Sequence, residues 1–327
     1  MPFLLIVIIA IALVFDFLNG LHDSSNIVAT MISSRALSPR VALGITAIAE
    51  FCGPFLFGVA VATTIGSEVV DPAAISSAVI IAALSSAILW NLITWYFGWP
   101  SSTSHALVGG LLGAVGVAEG LSTIKLAGLE KVLIALFISP VLGLVFGYLV
   151  LKLIYFLARG ASPGINTFFK RGQIATALAL ALSHGTNDAQ KTMGVMAMAM
   201  VTTGLVSHFY VPWWVITLSA GAIALGTAVG GWRLIRTLGS RFYKIRPVHA
   251  LGSQLTSAGI ILGAALLGGP VSTTQVVSSA IMGAGAADRV SKVRWTVGRD
   301  IAVAWVLTIP VSALVAAGLY LLIQLFL

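Results

Sequence analysis

Ten apolar runs, most of them long enough to cross a lipid bilayer as a helix, leave this chain few ways to fold. They lie near residues 3–18, 41–65, 74–97, 105–118, 131–158, 174–203, 212–232, 251–268, 271–287 and 300–327. A hydrocarbon core about 30 Å thick takes roughly 20 helical residues, and in lipid only helices and closed barrels satisfy their own backbone hydrogen bonds. A barrel would alternate apolar and polar residues along each strand, and these runs do not. Composition agrees, with 58% hydrophobic and 9% charged residues against about 25% charged in soluble domains. The chain reads as an all-α polytopic membrane protein whose surrounding solvent is the lipid bilayer.

The basic residues orient the spans. Of 18 Lys and Arg, fifteen fall in four segments: Arg35 and Arg40; Lys152, Arg159, Lys170 and Arg171; Arg233, Arg236, Arg241, Lys244 and Arg246; Arg289, Lys292, Arg294 and Arg299. Cytoplasmic loops carry such an excess, so the net charge of +8 needs no nucleic-acid partner. Starting outside, residues 3–33 cross inward, 41–65 return outward and 131–158 run inward; the second half mirrors this, and both termini are expected outside the cell membrane. Between Asp71 and Glu119 the chain leaves the outer side and returns to it, either as two spans or as a re-entrant hairpin with its tip at WPSSTSH (99–105). A second hairpin, between Arg246 and Arg289, has its tip at GGPVSTTQ (268–275). One hairpin opens outward and the other inward, which predicts two inverted-topology repeats, each with a broken helix and a re-entrant helical hairpin. The expected division is 1–158 as the first repeat with its connecting helix, 159–172 as a cytoplasmic linker, and 173–327 as the inverted repeat with a C-terminal helix. No basic segment precedes the first run, so it is expected to be a retained span rather than a signal peptide.

Four polar clusters interrupt the apolar helices, and they pair. NGLHDSSN (19–26) is echoed 165 positions later within SHGTNDAQKTMG (183–194), matching Gly20 with Gly185 and Asp23 with Asp188. An ionisable group at this depth costs about 2.5 kcal/mol or more and marks an ion or substrate path by default. Carboxylates suit a cation, so Asp23 and Asp188 are candidate Na⁺ ligands or proton carriers. Backbone carbonyls freed where Gly20 and Gly185 loosen the helix would assist, with Asn19, Asn26, Asn187 and Gln190 as neutral oxygen ligands. The other pair is the tips. In PSSTSH (100–105) and PVSTTQ (270–275), a proline ends the incoming helix and hydroxyls start the next. Ser101, Ser102, Thr103 and Ser104, with Ser272, Thr273 and Thr274, form an uncharged donor array that suits an oxyanion; each hydroxyl taken singly also reads as an N-cap. A cation beside a divalent anion lowers the cost of burying both, which is a physical basis for symport.

Lys191, three residues after Asp188, either pairs with that aspartate or reaches the anion. Glu50 is a coupling acid or a hydrogen-bonded structural one, and Asp16 lies at a kink or near headgroup depth. His22, His105 and His184 lack the spacing of a zinc site, Cys52 is the only cysteine, and no nucleophile and base are arranged for catalysis. A transporter is therefore expected rather than an enzyme. A channel would need a continuous pore, against which the capped, opposed tips argue.

At these residues the chain resembles the PiT family of inorganic phosphate transporters. The motifs are GLHDSSNIVATMISSRALSPR (20–40), WPSSTSHALVGG (99–110), ALSHGTNDAQKTMG (181–194) and PVSTTQVVSSAIMG (270–283), in order and across nearly the whole chain. The resemblance implies inverted repeats, secondary uptake of inorganic phosphate with Na⁺ or H⁺ and no other cofactor, and a homodimer. It places the duplicated aspartate motif on Asp23 and Asp188, the hydroxyl tips on Ser101 to Ser104 and Ser272 to Thr274, and an intramembrane glutamate on Glu50. The chain departs from the family pattern at His22, Gln254 and Gln275, and the last of these stands where the family usually has an ionisable coupling residue. Sulfate or another tetrahedral oxyanion would suit the same tips.

Overall fold

The computed structural model describes residues 2–240 and 242–325. Met1, Arg241, Phe326 and Leu327 lie outside the described residues, and with them one of the basic residues used above for orientation. The first half folds as α1 (Pro2–Ser33), α2 (Pro39–Leu56), α3 (Ala60–Thr63), α4 (Ser77–Phe97), α5 (Thr103–Ala118) and α6 (Leu126–Leu157). The second folds as α7 (Ile165–Thr202), α8 (Trp213–Val229), α9 (Trp232–Ser240), α10 (Pro247–Leu266), α11 (Thr273–Asp288) and α12 (Trp295–Gln324). By length and hydropathy α1, α2, α4, α6, α10 and α12 can each cross a membrane, as can α8 with α9 if the bent pair is taken as one span. The apolar windows of α6 and α12 are only 28% and 17% buried, and side chains such as Phe137, Val141, Val306 and Leu314 point outward. So wide an apolar surface suits a lipid surrounding. This is a multi-pass membrane protein.

The helix breaks fall elsewhere than expected. Gly20 and Gly185 sit inside α1 and α7, which run unbroken through them. Their role is close approach: a Cβ on Gly20 would lie 2.0 Å from the Ile223 carbonyl oxygen, and one on Gly185 would lie 2.2 Å from that of Glu50. Glycine lets α1 press against α8, and α7 against α2, backbone to backbone. The observed breaks separate α2 from α3, at a Gly58 with φ of +78°, and α8 from α9, where the axis turns by 71°. Both are held by the neighbouring aspartate-bearing helix. Gln190 Oε1 accepts the amides of Val61 (2.8 Å) and Ala62 (3.3 Å) while its Nε2 donates to the Gly58 carbonyl (2.7 Å). At the second break Ser24 Oγ accepts the Gly231 amide at 2.9 Å. A buried backbone group left unpaired costs about 1–3 kcal/mol, so a broken helix inside a protein needs such partners. The expected linker is also shorter than read, because α7 already begins at Ile165 and anchors Phe169 in a cluster with Leu151 and Val248.

Two helical hairpins dominate the interior. α4 ends at Gly98 (φ 67°) and α10 at Gly268 (φ 72°), left-handed positions that stop a helix without a Cβ penalty. Pro100 and Pro270 follow, and Ser102 and Ser272 then cap α5 and α11 by accepting the amides of His105 (3.0 Å) and Gln275 (3.4 Å). The tips touch, with Ser104 Oγ donating to the Val271 carbonyl at 3.0 Å. α6 shows how they face. It starts beside the mouth of the first hairpin, where Lys125 Nζ donates to the Ser67 carbonyl at 3.0 Å. It ends beside the mouth of the second, where Tyr155 Oη donates to Asp288 Oδ1 at 3.4 Å. Its 32 residues cover about 48 Å at 1.5 Å per residue, so the hairpins enter from opposite ends and meet part way along it.

Asp288 also takes Arg246 Nη2 at 3.0 Å and a hydrogen bond from Lys292. Partial burial works to raise its carboxyl, but the Lys292 bond and the Arg246 charge outweigh that and hold it below the ordinary carboxylate range. Although α6 follows the first hairpin in the chain, it packs along α10 and α11, while α12 packs along α4 and α5. Gly143 and Gly147 of α6 abut the backbone of Val276 and Ala280; Gly109 and Gly113 of α5 abut that of Ile309 and Ala313.

Adding a methyl where backbones touch forces helices apart, which costs about 1–3 kcal/mol in a packed interior. Gly20→Ala and Gly185→Ala are expected to lower the thermal midpoint of the detergent-solubilised protein. Gly221→Ala and Gly259→Ala, with nothing within 4 Å of the added carbon, are expected to leave it unchanged or raise it. Equal midpoints across the four variants would contradict the packing role assigned to Gly20 and Gly185.

Candidate ion and substrate site

The side chains of Asp23 on α1 and Asp188 on α7 meet where the two tips converge. All are buried, with Asp188 fully so and Asp23 at 1% exposure. Thr273 Oγ1 lies 2.8 Å from Asp188 Oδ2 and 3.3 Å from Asp23 Oδ2, so a single hydroxyl stands between the two carboxylates. Thr274 Oγ1 donates to Asp23 Oδ1 at 2.8 Å, and from the other tip Thr103 Oγ1 reaches Asp23 Oδ2 at 3.4 Å. Asn26 Nδ2 donates to Thr274 Oγ1 at 3.0 Å. Lys191 Nζ bonds Asp188 Oδ1, Ser104 Oγ (2.5 Å) and the Val271 carbonyl (2.8 Å), which ties α7 to both tips. Of the two readings of Lys191, the ion pair with Asp188 is the one seen.

His184 joins the acids. Its Nε2 lies 2.9 Å from Asp188 Oδ2 and 3.7 Å from Asp23 Oδ2, and its Nδ1 lies 2.8 Å from Glu50 Oε1. The ring N–H directions do not line up with these oxygens, so the contacts are electrostatic rather than well-formed hydrogen bonds. Asp23, His184 and Asp188 bring one potential ligand atom each within 4.8 Å of one another. Two unit charges 4 Å apart interact by about 4 kcal/mol at an effective dielectric constant of 20. Three buried acids, Asp23, Asp188 and Glu50, thus lie among one lysine and two histidines, His184 and His22, whose Nδ1 is 2.9 Å from Asp23 Oδ1.

The candidate residues sort into those at this cluster and those beside it. Thr103, Ser104, Thr273, Thr274, Asn26 and Lys191 touch the aspartates or one another. Glu50 is linked through His184. Asn187 Nδ2 holds the Gly269 carbonyl at 3.1 Å behind the second tip, leaving its Oδ1 unpaired. Neither amide atom of the fully buried Asn19 has a partner. Ser101 Oγ donates to Thr94 Oγ1 at 2.8 Å inside its own hairpin, and Ser102 and Ser272 accept cap amides; none of these three hydroxyls hydrogen-bonds either carboxylate. Gln190 leaves the cation-ligand set because its oxygen already accepts two backbone amides at the α2–α3 break. Gln275 sits 3.4 Å from His105 Nε2 and reaches neither aspartate by a hydrogen bond.

Asp16 lies at neither a kink nor the surface: it is fully buried in unbroken α1 and accepts from Thr192 Oγ1 at 2.5 Å. In the sequence His184 draws attention only for lacking zinc-site spacing. Its spacing of four residues from Asp188, one helical turn, was the signal that places the ring against the carboxylate.

Comparison with known proteins agrees with this architecture. A family described as "Phosphate transporter family" matches residues 19–164 and 158–316. A Bacillus subtilis protein named "Probable low-affinity inorganic phosphate transporter" is 43% identical over 98% of this chain and 97% of its own length. A Rhizobium meliloti protein with the same name is 45% identical over 97% and 96%. Among solved structures, "The sodium-dependent phosphate transporter" superposes with a TM-score of 0.91 over 100% of both chains at 24% identity, a likeness of fold. With the family match spanning both halves and relatives aligned from end to end, the chain belongs to the phosphate transporter family.

Proposed function

We propose that the protein imports inorganic phosphate across a cell membrane by symport with Na⁺ or H⁺, exposing a site between the two hairpin tips to each side in turn. The observation that carries this reading is the convergence of Thr103, Thr273 and Thr274, at the starts of two opposed helices, on two buried aspartates. Hydroxyls and free amides at helix N-termini are donors for a tetrahedral oxyanion. Carboxylates offer only acceptors, so the anion can approach Asp23 and Asp188 only when cations neutralise them. That requirement is coupling: a cation that raises phosphate affinity has its own affinity raised by the same factor.

Alternating access is supported by contacts that recur between the halves. Gly20 meets Ile223 as Gly185 meets Glu50, Gly226 meets Phe17 as Gly53 meets Leu182, and the hairpins enter from opposite ends. In inverted-repeat transporters alternating access comes largely from rocking one such half against the other around a fixed site. The names of the relatives point to phosphate as the anion, and that of the structural neighbour to Na⁺ as the coupling ion.

Labelled phosphate is expected to accumulate in proteoliposomes when an inward Na⁺ or H⁺ gradient is imposed. Failure of both gradients to drive accumulation sinks the symport reading, and equal uptake of sulfate would widen the substrate class to tetrahedral oxyanions. Asp23→Asn and Asp188→Asn are expected to abolish gradient-driven uptake while the protein still reaches the membrane folded; near-normal uptake by either returns that aspartate to a structural role. A hydrogen bond to a charged group contributes about 1.5–3 kcal/mol and about 1.4 kcal/mol is tenfold in affinity. Thr273→Val should therefore weaken phosphate binding about tenfold or more, while Ser102→Ala, a cap, should lower stability by about 1 kcal/mol with little change in affinity.

A further inference from the structure

The two halves treat their aspartates differently at one position. The 165-residue offset that aligns Asp23 with Asp188 also aligns Asn26 with Lys191. Both residues are 1% exposed and both reach the opposite hairpin at the same place: Asn26 Nδ2 donates to Thr274 Oγ1 at 3.0 Å, and Lys191 Nζ donates to Ser104 Oγ at 2.5 Å. Ser104 and Thr274 are themselves matched positions of the two tips. The amide in the first half is neutral; its counterpart in the second carries a positive charge.

The oxygens around Lys191 Nζ are informative. They are one carboxylate oxygen of Asp188, one hydroxyl of Ser104 and one backbone carbonyl of Val271, which together take all three ammonium protons. Oxygens of these kinds are also ligands for an alkali cation, and carbonyls of non-helical backbone at membrane depth, as at Val271 in the tip before α11, serve this way in transporters. In the first half the corresponding carboxylate, Asp23 Oδ1, is met by Thr274 Oγ1, which Asn26 in turn contacts, and by His22 Nδ1 at 2.9 Å. The Asn26 oxygen there has no partner.

We propose that Lys191 is a tethered cation: its ammonium holds beside Asp188 the place that an exchangeable coupling cation takes beside Asp23. The proposal rests on the cation-coupled reading of the site and adds to it a count. One fewer free cation travels with each phosphate than a pair of equivalent aspartates would demand, and the exchangeable cation is confined to the Asp23 side.

The count is measurable without transport. By linkage, the slope of log phosphate affinity against log Na⁺ concentration gives the number of Na⁺ ions taken up with the anion. Purified protein in detergent is titrated with inorganic phosphate over a Na⁺ series balanced with choline. Lys191→Asn, which copies the first half, and Lys191→Ser are expected to raise the slope by one relative to wild type. A tenfold rise in Na⁺ then improves phosphate affinity by a further factor of ten. Lys191→Arg, which keeps the charge, is expected to keep the wild-type slope.

A lysine with only a structural role would shift affinity by a constant factor at every Na⁺ concentration and leave the slope alone. Equal slopes in wild type and both neutral variants overturn the proposal, as does loss of phosphate binding by both at every Na⁺ concentration. A wild-type slope of zero bears on the other reading: it counts against Na⁺ coupling, while the difference between variant and wild type still decides the role of Lys191.

Discussion

The hydroxyl of Thr273 stands between two carboxylates and has one proton to give, which sets the electrostatic problem that this molecule is built around. Asp23 and Asp188 come from helices 165 residues apart in the chain, and holding them side by side away from water is unfavourable unless donors and positive charge surround them. The surroundings supply both. Thr103 and Thr274 reach in from the two tips, Lys191 closes on Asp188, and His184 lies against Asp188 and Glu50. Removing one donor from such a network leaves the rest buried and unsatisfied, so its members are expected to act as a unit.

Much of the fold exists to bring those groups together. α1 and α7 run unbroken through their glycines, where α8 and α2 approach to backbone contact, and this sets Glu50 against His184. The bends needed to fit the remaining chain around the site fall in α2–α3 and α8–α9, where Gln190 and Ser24 take over the exposed backbone groups. Residues of one polar segment are thereby divided between two tasks: Asp188 and Lys191 face the tips, while Gln190 holds the neighbouring helix at its break.

The chain's membrane character, its two aspartates and its hydroxyl tips were legible because each is local: a run of apolar residues, an acid within such a run, a proline followed by serines and threonines. What escaped the sequence depends on which backbone lies opposite. Gly20 and Gly185 read as weak points in a helix, since nothing local distinguishes a glycine that loosens a helix from one that admits a neighbour. Gln190 sits amid candidate ligands in the chain, and only the position of Val61 and Ala62 shows that its oxygen is already used. Ser102 and Thr103 are adjacent hydroxyls at the same tip, yet one turns back to cap its own helix and the other turns toward Asp23. Asp16, which reads as lying at a kink or near headgroup depth, is enclosed within unbroken α1, where Thr192 of α7 meets it.

α6 and α12 are each wrapped around the hairpin that belongs to the opposite half. The protein is therefore interlocked in the manner of a domain-swapped dimer folded into a single chain. During synthesis the first hairpin can rest α4 against α1, but its contacts with α12 form only once that much later helix is made. Gly109 and Gly113, shaped for a backbone contact, must wait for Ile309 and Ala313 to emerge. Packing of the first hairpin thus waits on a helix made much later, and neither half completes its packing alone.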